Sequence, residues 1–78
     1  MTFNEFKKNY ERLLLLEKES IIRSYVTNGQ VLYNYFTRVW PDEADRLIND
    51  KKLDCFFNNN NVNNLLEYLE DNWHKNPN

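Results

Sequence analysis

The feature of this sequence that most constrains its fold is an aromatic-rich segment at residues 29–40, whose large side chains recur at helical spacing. Successive steps of 1, 3, 3 and 1 put them on one stripe of a helix. These residues are Leu32, Tyr33, Phe36, Val39 and Trp40. Pro41 then ends the segment, because its ring clashes with the preceding turn and it has no N–H to donate. The pattern predicts a helix over about 30–40 whose stripe enters the core.

The length of the chain limits how much core it can build, because 78 residues bury only a marginal amount of apolar surface. Chains of this size often gain stability from disulfides, a metal ion or oligomerisation. Cys55 is the only cysteine and His74 the only histidine, and they are not spaced as metal ligands. We therefore expect no metal and no cofactor, and we expect help from oligomerisation.

Apolar runs and the cysteine count bear on the cellular compartment. The longest run, residues 13–16, is far shorter than the ~20 residues that a membrane span needs. Residues 1–20 lack the basic segment followed by an apolar one that is typical of a signal peptide. A lone cysteine favours a reducing environment. We therefore predict a cytoplasmic protein without a membrane segment.

The N-terminal residues predict a helix that begins at about residue 3. Thr2 and Glu5 have the spacing of a capping box, in which each side chain binds a free backbone N–H. An apolar stripe with steps of 3, 4, 3 and 1 follows. It consists of Phe3, Phe6, Tyr10, Leu13 and Leu14. Because residues 13–16 are all leucine and cover nearly a full turn, at least one leucine must leave the core face.

A break must separate the first two helices, because one helix over residues 2–40 would be too long for a small compact domain. One option places the break at 17–20, with Ser20 capping the next helix and Gly29 giving close backbone approach. We favour residues 27–29, where asparagine and glycine readily take the left-handed conformation that closes a helix. A glycine inside a helix costs ~1 kcal/mol relative to alanine. The apolar periodicity continues up to this point through Ile21, Ile22, Tyr25 and Val26.

A short third helix is predicted over about 42–49. Pro41 suits its first turn, and acidic residues follow where they complement the positive end of a helix. Its apolar face consists of Ala44, Leu47 and Ile48. Asp42 lies four residues before Arg46, a spacing that allows an ion pair.

The C-terminal part predicts an apolar patch, a polar loop and a last helix. The patch of Leu53, Cys55, Phe56 and Phe57 is too short to classify by its period. The asparagines at 58–61 predict a loop and cap. A last helix over about 61–74 should pack on the second, followed by a frayed tail at 75–78. The apolar face of this helix consists of Val62, Leu65, Leu66, Leu69 and Trp73.

No segment alternates like a strand, so the sequence predicts a single all-α domain, a small bundle of three to four helices over residues 1–78.

Two clusters resemble a pattern in short uncharacterised bacterial and phage proteins. The run Gly29-Gln30-Val31-Leu32-Tyr33-Asn34 is similar to their Gly-Gln, two or three apolar residues, then Asn. Asp54-Cys55-Phe56-Phe57 is similar to their Asp-x-Phe-Tyr loop before a last helix, with Phe57 where the pattern favours tyrosine. The resemblance covers about residues 27–70. It implies a small helical fold without an assigned activity. Gln30 and Asn34 lie one turn apart and could bond the Asp54 loop or the chain ends, and we favour this structural bonding over ligand binding.

Catalysis is not expected from these residues. Cys55 lies among apolar side chains, where burial would raise its pKa and leave it inert. One glycine cannot form a phosphate-binding loop. Acidic pairs such as Glu67 and Asp71 are typical of a solvated helix face. We therefore predict a protein that is not an enzyme.

A nucleic-acid-associated helical regulator is the alternative function. Affinity for nucleic acid comes mainly from clustered lysines and arginines. The last helix is acidic, and the basic residues Lys7, Lys8 and Arg12 of the first helix are diluted by Glu5 and Glu11. Binding to DNA or RNA is therefore not favoured.

Interaction with protein is the function that we favour. Leu15, Leu16, Tyr35 and Tyr68 lie at the edge of the predicted core stripes or off them, as interface anchors do. The simplest partner is a second copy, paired about a two-fold axis through the leucines of the first helix. We therefore expect a homodimeric protein-interaction module. The resemblance is consistent with an origin in a phage or mobile element, and with action on a host protein.

Overall fold

The computed structural model describes residues 1–19 and 26–77. Its α-helices are α1 (Phe3–Glu19), α2 (Asn28–Val39), α3 (Pro41–Arg46) and α4 (Val62–Asn72). Short 3₁₀-helices precede and follow α4, at Asn59–Asn61 and Trp73–Lys75. The described residues contain no strand, so the predicted all-α fold is confirmed.

Capping boxes start both of the longer N-terminal helices. At α1 the Thr2 N–H donates to Glu5 Oε1 at 3.0 Å and the Glu5 N–H to Thr2 Oγ1 at 3.1 Å, as predicted. At α2 the same reciprocal bonds join Thr27 and Gln30. Each cap supplies partners to N–H groups that a helix start leaves free. The Thr-x-x-Gln spacing at 27–30 is thus a second capping signature, and α2 begins earlier than the predicted residue 30.

The favoured left-handed closure at residues 27–29 was wrong. Gly29 has no positive φ and is the second residue of α2. A Cβ at this position would lie 2.0 Å from the carbonyl oxygen of Cys55, so Gly29 is needed for close backbone approach. The predicted cap at Ser20 and the predicted stripe residues Ile21, Ile22 and Tyr25 lie outside the described residues.

Helix α3 is shorter than the predicted 42–49. Pro41 is at its start, as predicted, but regular helix ends at Arg46 and residues 47–49 form a turn. The Ile48 N–H bonds the Asp45 carbonyl rather than continuing the α-helical ladder. Ile48 is consequently 64% exposed and does not join the apolar face, whereas Ala44 and Leu47 are buried.

The core lies between α1, α2 and α4. The largest side chains that are fully buried are Phe6, Leu32, Phe36, Leu65, Leu69 and Cys55. Helix α4 packs on α2, as predicted. The Trp73 ring contacts Phe6 and Trp40, with ring centroids 5.0 and 5.8 Å apart. Its Nε1–H donates to the Met1 carbonyl at 2.9 Å, so the two ends of the described chain meet.

Candidate protein-interaction surfaces

An apolar groove lies between α2, α3 and the loop that follows α3. Its volume is about 310 Å³. Its walls are Tyr33, Asn34 and Thr37 of α2, Ala44, Asp45 and Ile48 of α3 and the next turn, and Asp54, Phe56 and Phe57 of the loop. The two charged side chains in this set are both carboxylates, so we call the groove and its rim the acidic surface.

Phe57 is the most exposed large apolar side chain of the acidic surface, at 87%. Asp54 holds the backbone that presents it, because its Oδ1 accepts the N–H groups of Phe56 and Phe57 at 3.0 and 3.3 Å. The Phe57 ring meets Phe56 edge-on at 5.0 Å, and Phe56 meets Tyr33 edge-on at 6.3 Å. The loop therefore holds the Phe57 ring in a defined position on the surface.

The loop is anchored on α2 at Gly29. The Gly29 N–H donates to Asn59 Oδ1 at 2.6 Å, and the Cys55 thiol donates to the Gly29 carbonyl at 3.2 Å. Cys55 is fully buried, as predicted, and burial raises its pKa to about 12. At neutral pH the group is a thiol, so its visible role is to fix the loop.

A second groove, of about 260 Å³, lies between α1 and α2. It is lined by Asn9, Arg12, Leu13, Tyr35 and Arg38. The Tyr35 ring stacks on Phe6 with centroids 4.8 Å apart, and its hydroxyl accepts the Asn9 amide N–H at 3.0 Å. Arg12 and Arg38 are both exposed, and they are the charged side chains among the described residues that line this site, so we call it the basic groove.

The structure separates the side chains predicted to form an interface. Leu15 and Leu16 are 64% and 57% exposed on α1, and Tyr35 lines the basic groove. Tyr68 is instead bonded to α3. Their part in an interface stays a prediction. Among the described residues, the exposed large apolar side chains that the sequence pattern did not single out are Ile48, Phe57 and, at 48%, Met1. The position of Asp54, three residues before Phe57, could have indicated a turn that holds Phe57 in place, because an aspartate side chain often accepts the backbone N–H groups of the residues just after it.

Tyr68 belongs to a polar cluster that joins α4 to α3. Its hydroxyl donates to Glu43 Oε2 at 2.9 Å and accepts from Arg46. Arg46 also makes a two-pronged ion pair with Glu43, in place of the predicted pair with Asp42. The Arg46 bond holds the pKa of buried Glu43 below its usual value, against the opposing effect of burial. With its groups bonded to each other, the cluster has a structural role.

Gln30 and Asn34 were expected to bond either the Asp54 loop or the chain ends, and no bond joins either side chain to the Asp54 loop in the described residues. Gln30 accepts the Thr27 N–H within the helix cap, while Asn34 lines the acidic surface beside Asp54 without a bond to it. The loop is bonded instead by Asn61, whose side-chain Nδ2 donates to the carbonyls of Lys51 and Asp54 at 2.8 and 2.9 Å.

Over residues 1–19 and 26–77, no three or more histidine, cysteine, aspartate or glutamate side chains converge as a metal site. No helix in the same part of the chain combines the length and apolarity that crossing a membrane requires. Comparison with protein-family models finds no match, and searches of curated proteins and of solved structures find no significantly similar chain.

Proposed function

We propose that this chain is a small protein-interaction module without catalytic activity that associates with a second copy of itself. The observation that carries the proposal is the acidic surface. Phe57 stays 87% exposed there although its loop is anchored on α2, and Ile48, in the turn after α3, is 64% exposed beside it. Large aromatic side chains are typical anchors of protein interfaces. An exposed apolar groove with a polar rim is the usual form of such a site.

The small core supports association as well. A domain of this size gains stability when a partner covers apolar surface that the monomer leaves in water. Leu15 and Leu16 add a second exposed apolar site on α1.

A lone cysteine buried as a thiol suits a reducing compartment, so we propose the cytoplasm as the place of action. A phage or mobile-element origin, with a host protein as a further partner, rests on the sequence resemblance alone.

Light scattering over a concentration series tests the proposal. We expect the average mass to rise above that of a monomer by ~100 μM, a concentration that populates even a weak dimer. Phe57→Ser should lower this association, whereas Lys52→Ser, a matched exposed position in the turn before the loop, should leave it unchanged. A wild-type chain that stays monomeric through this range contradicts self-association.

The alternative function, a nucleic-acid-associated regulator, is supported by the paired arginines of the basic groove. Lys7 does not extend this groove, because it lines a different one with Glu67 and Glu70 of α4. Retention on DNA at low salt, with a steep loss as salt is added, would favour this alternative. Retention that Arg12→Gln and Arg38→Gln do not weaken would exclude the basic groove as the contact.

A further inference from the structure

The acidic surface and the basic groove lie on different flanks of α2. Tyr33 and Thr37 line the acidic surface, whereas Tyr35 and Arg38 line the basic groove. Residues of a helix are spaced by about 100° around its axis, so these two pairs face different directions. One chain therefore displays two surfaces of opposite charge, each with an aromatic side chain.

We propose that the acidic surface of one copy docks on the basic groove of another, with Phe57 as the inserted side chain. The inference rests on the proposed self-association and adds its mode, a contact between two unlike surfaces. Such a contact is heterologous, and it closes into a ring or continues as a chain of copies according to the rotation between neighbours.

Charge is the reason for choosing a second copy as the occupant. Asp45 and Asp54 are the charged groups that line the acidic surface, and Arg12 and Arg38 are those that line the basic groove. Pairing either surface with its own counterpart would bring like charges together, which disfavours that arrangement. Pairing the unlike surfaces brings a surface lined by two carboxylates to one lined by two guanidinium groups, which favours that arrangement.

The side chains of the two surfaces also suit an aromatic contact. The Phe57 backbone is already held by Asp54, so docking the ring orders little additional chain. The basic groove is about 260 Å³ in volume, with apolar Leu13 and the Tyr35 ring among its walls. Arginine side chains from two different helices line it, and a guanidinium binds favourably over the face of an aromatic ring.

The test uses two full-length variants that each lose one surface. Arg12→Glu with Arg38→Glu removes the basic groove and leaves the acidic surface intact. Phe57→Ser with Asp45→Lys removes the acidic surface and leaves the basic groove intact. Asp54 is kept, because its carboxylate holds the loop backbone. All four substituted side chains are exposed, so each variant should fold, and circular dichroism and thermal melting check this.

Each variant alone should associate at least about tenfold more weakly than the wild type, as the loss of an interface anchor predicts. An equimolar mixture should form heterodimers, because the intact acidic surface of one variant can meet the intact basic groove of the other. Sedimentation velocity with one variant fluorescently labelled detects this recovery. The double charge reversal Lys52→Glu with Lys75→Glu, at exposed positions elsewhere, controls for net charge and should associate like the wild type.

The outcomes separate this inference from the function on which it rests. Variants that self-associate like the wild type, or a mixture that stays monomeric, overturn the docking mode while self-association itself stands. The docking mode is also overturned if Leu15→Ser with Leu16→Ser abolishes association while the two surface variants still associate. That result would favour the α1 leucines as the interface. A monomeric wild type overturns the proposed function together with the inference.

Discussion

Two junctions hold α3 and the loop that follows it against the rest of the bundle, and they use different kinds of contact. The α2 junction joins this loop to α2, and the α4 junction joins α3 to α4. At the α2 junction, backbone meets backbone, because Gly29 lets the Cys55 carbonyl approach the helix closely. At the α4 junction, side chain meets side chain, through Glu43, Arg46 and Tyr68. The first junction leaves no room for an added methyl group. The second depends on hydrogen bonds between side chains, of which Glu43 is buried and Arg46 is 61% exposed.

Because the contacts differ in kind, we expect the α2 junction to be sensitive to side-chain size and the α4 junction to be sensitive to pH. Close backbone contact depends on size and is insensitive to pH, because the buried thiol does not ionise near neutrality. A bridge of charged side chains tolerates small changes in shape and responds to protonation. Experiments on both junctions can therefore test whether steric fit or charge contributes more to stability.

The largest effect is expected for Gly29→Ala. The new methyl group would lie 2.0 Å from the Cys55 carbonyl oxygen, a backbone atom that can move only with the loop. Overpacking of this kind costs about 3 kcal/mol of unfolding free energy. Urea denaturation measures the loss. Asn34→Ala, an exposed position on the same helix, is the control and should be neutral or slightly stabilising; equal stability of the two variants would contradict the close approach.

Thiol labelling offers the second test of the α2 junction. Cys55 is fully buried, and burial raises its pKa to about 12. Iodoacetamide at neutral pH should therefore modify the folded protein on the order of a hundredfold more slowly than the protein in denaturant. Mass spectrometry against time measures both rates. Similar rates in the two conditions would show that the loop opens readily.

A smaller effect is expected for Tyr68→Phe at the α4 junction. The change deletes a hydroxyl that bonds both Glu43 and Arg46 while keeping the ring. Because Arg46 is 61% exposed and water can replace part of the bonding, the loss should be about 1 kcal/mol. Tyr33→Phe, at the acidic surface, is the matched control and should cost less. The opposite order of unfolding free energies would show that the bridge does not stabilise this junction.

The smallest effect is the contribution of Glu43 to stability against acid. The Arg46 bond lowers the pKa of Glu43 in the folded state below its ordinary value of 4.5. A lowered pKa stabilises the fold fully above the pKa of the unfolded chain, and this stabilisation is lost as pH falls through the folded-state pKa. Glu43→Gln should therefore lose less unfolding free energy than the wild type between neutral pH and about pH 3.

Thermal unfolding at several pH values measures this difference. Asp71→Gln, at an exposed position on α4, provides a control for the removal of one carboxylate. A Glu43→Gln variant with the same acid dependence as the wild type would show that Glu43 is not linked to the fold through its charge.

Much of the core was predictable because it depends on local periodicity. Leu32 and Phe36 are buried on the predicted stripe of α2, and Phe6 on that of α1. Caps are equally local, as Thr2 and Glu5 show. The candidate interface was harder to predict, because exposure depends on where a helix ends. Ile48 follows Ala44 by four residues and would join the same face if α3 continued, but the helix ends at Arg46.

By itself, the sequence determined the all-α class, the core stripes of α1, α2 and α4 and the stop at Pro41, because these follow from side-chain spacing and backbone chemistry over a few residues. Tertiary structure alone decided the roles of Gly29 and Phe57. Gly29 is a helix residue because a loop 26 residues further along the chain lies against it. Phe57 points outward because Cys55, two residues earlier, occupies the buried site; contacts between distant segments select which of several apolar side chains the small core can contain.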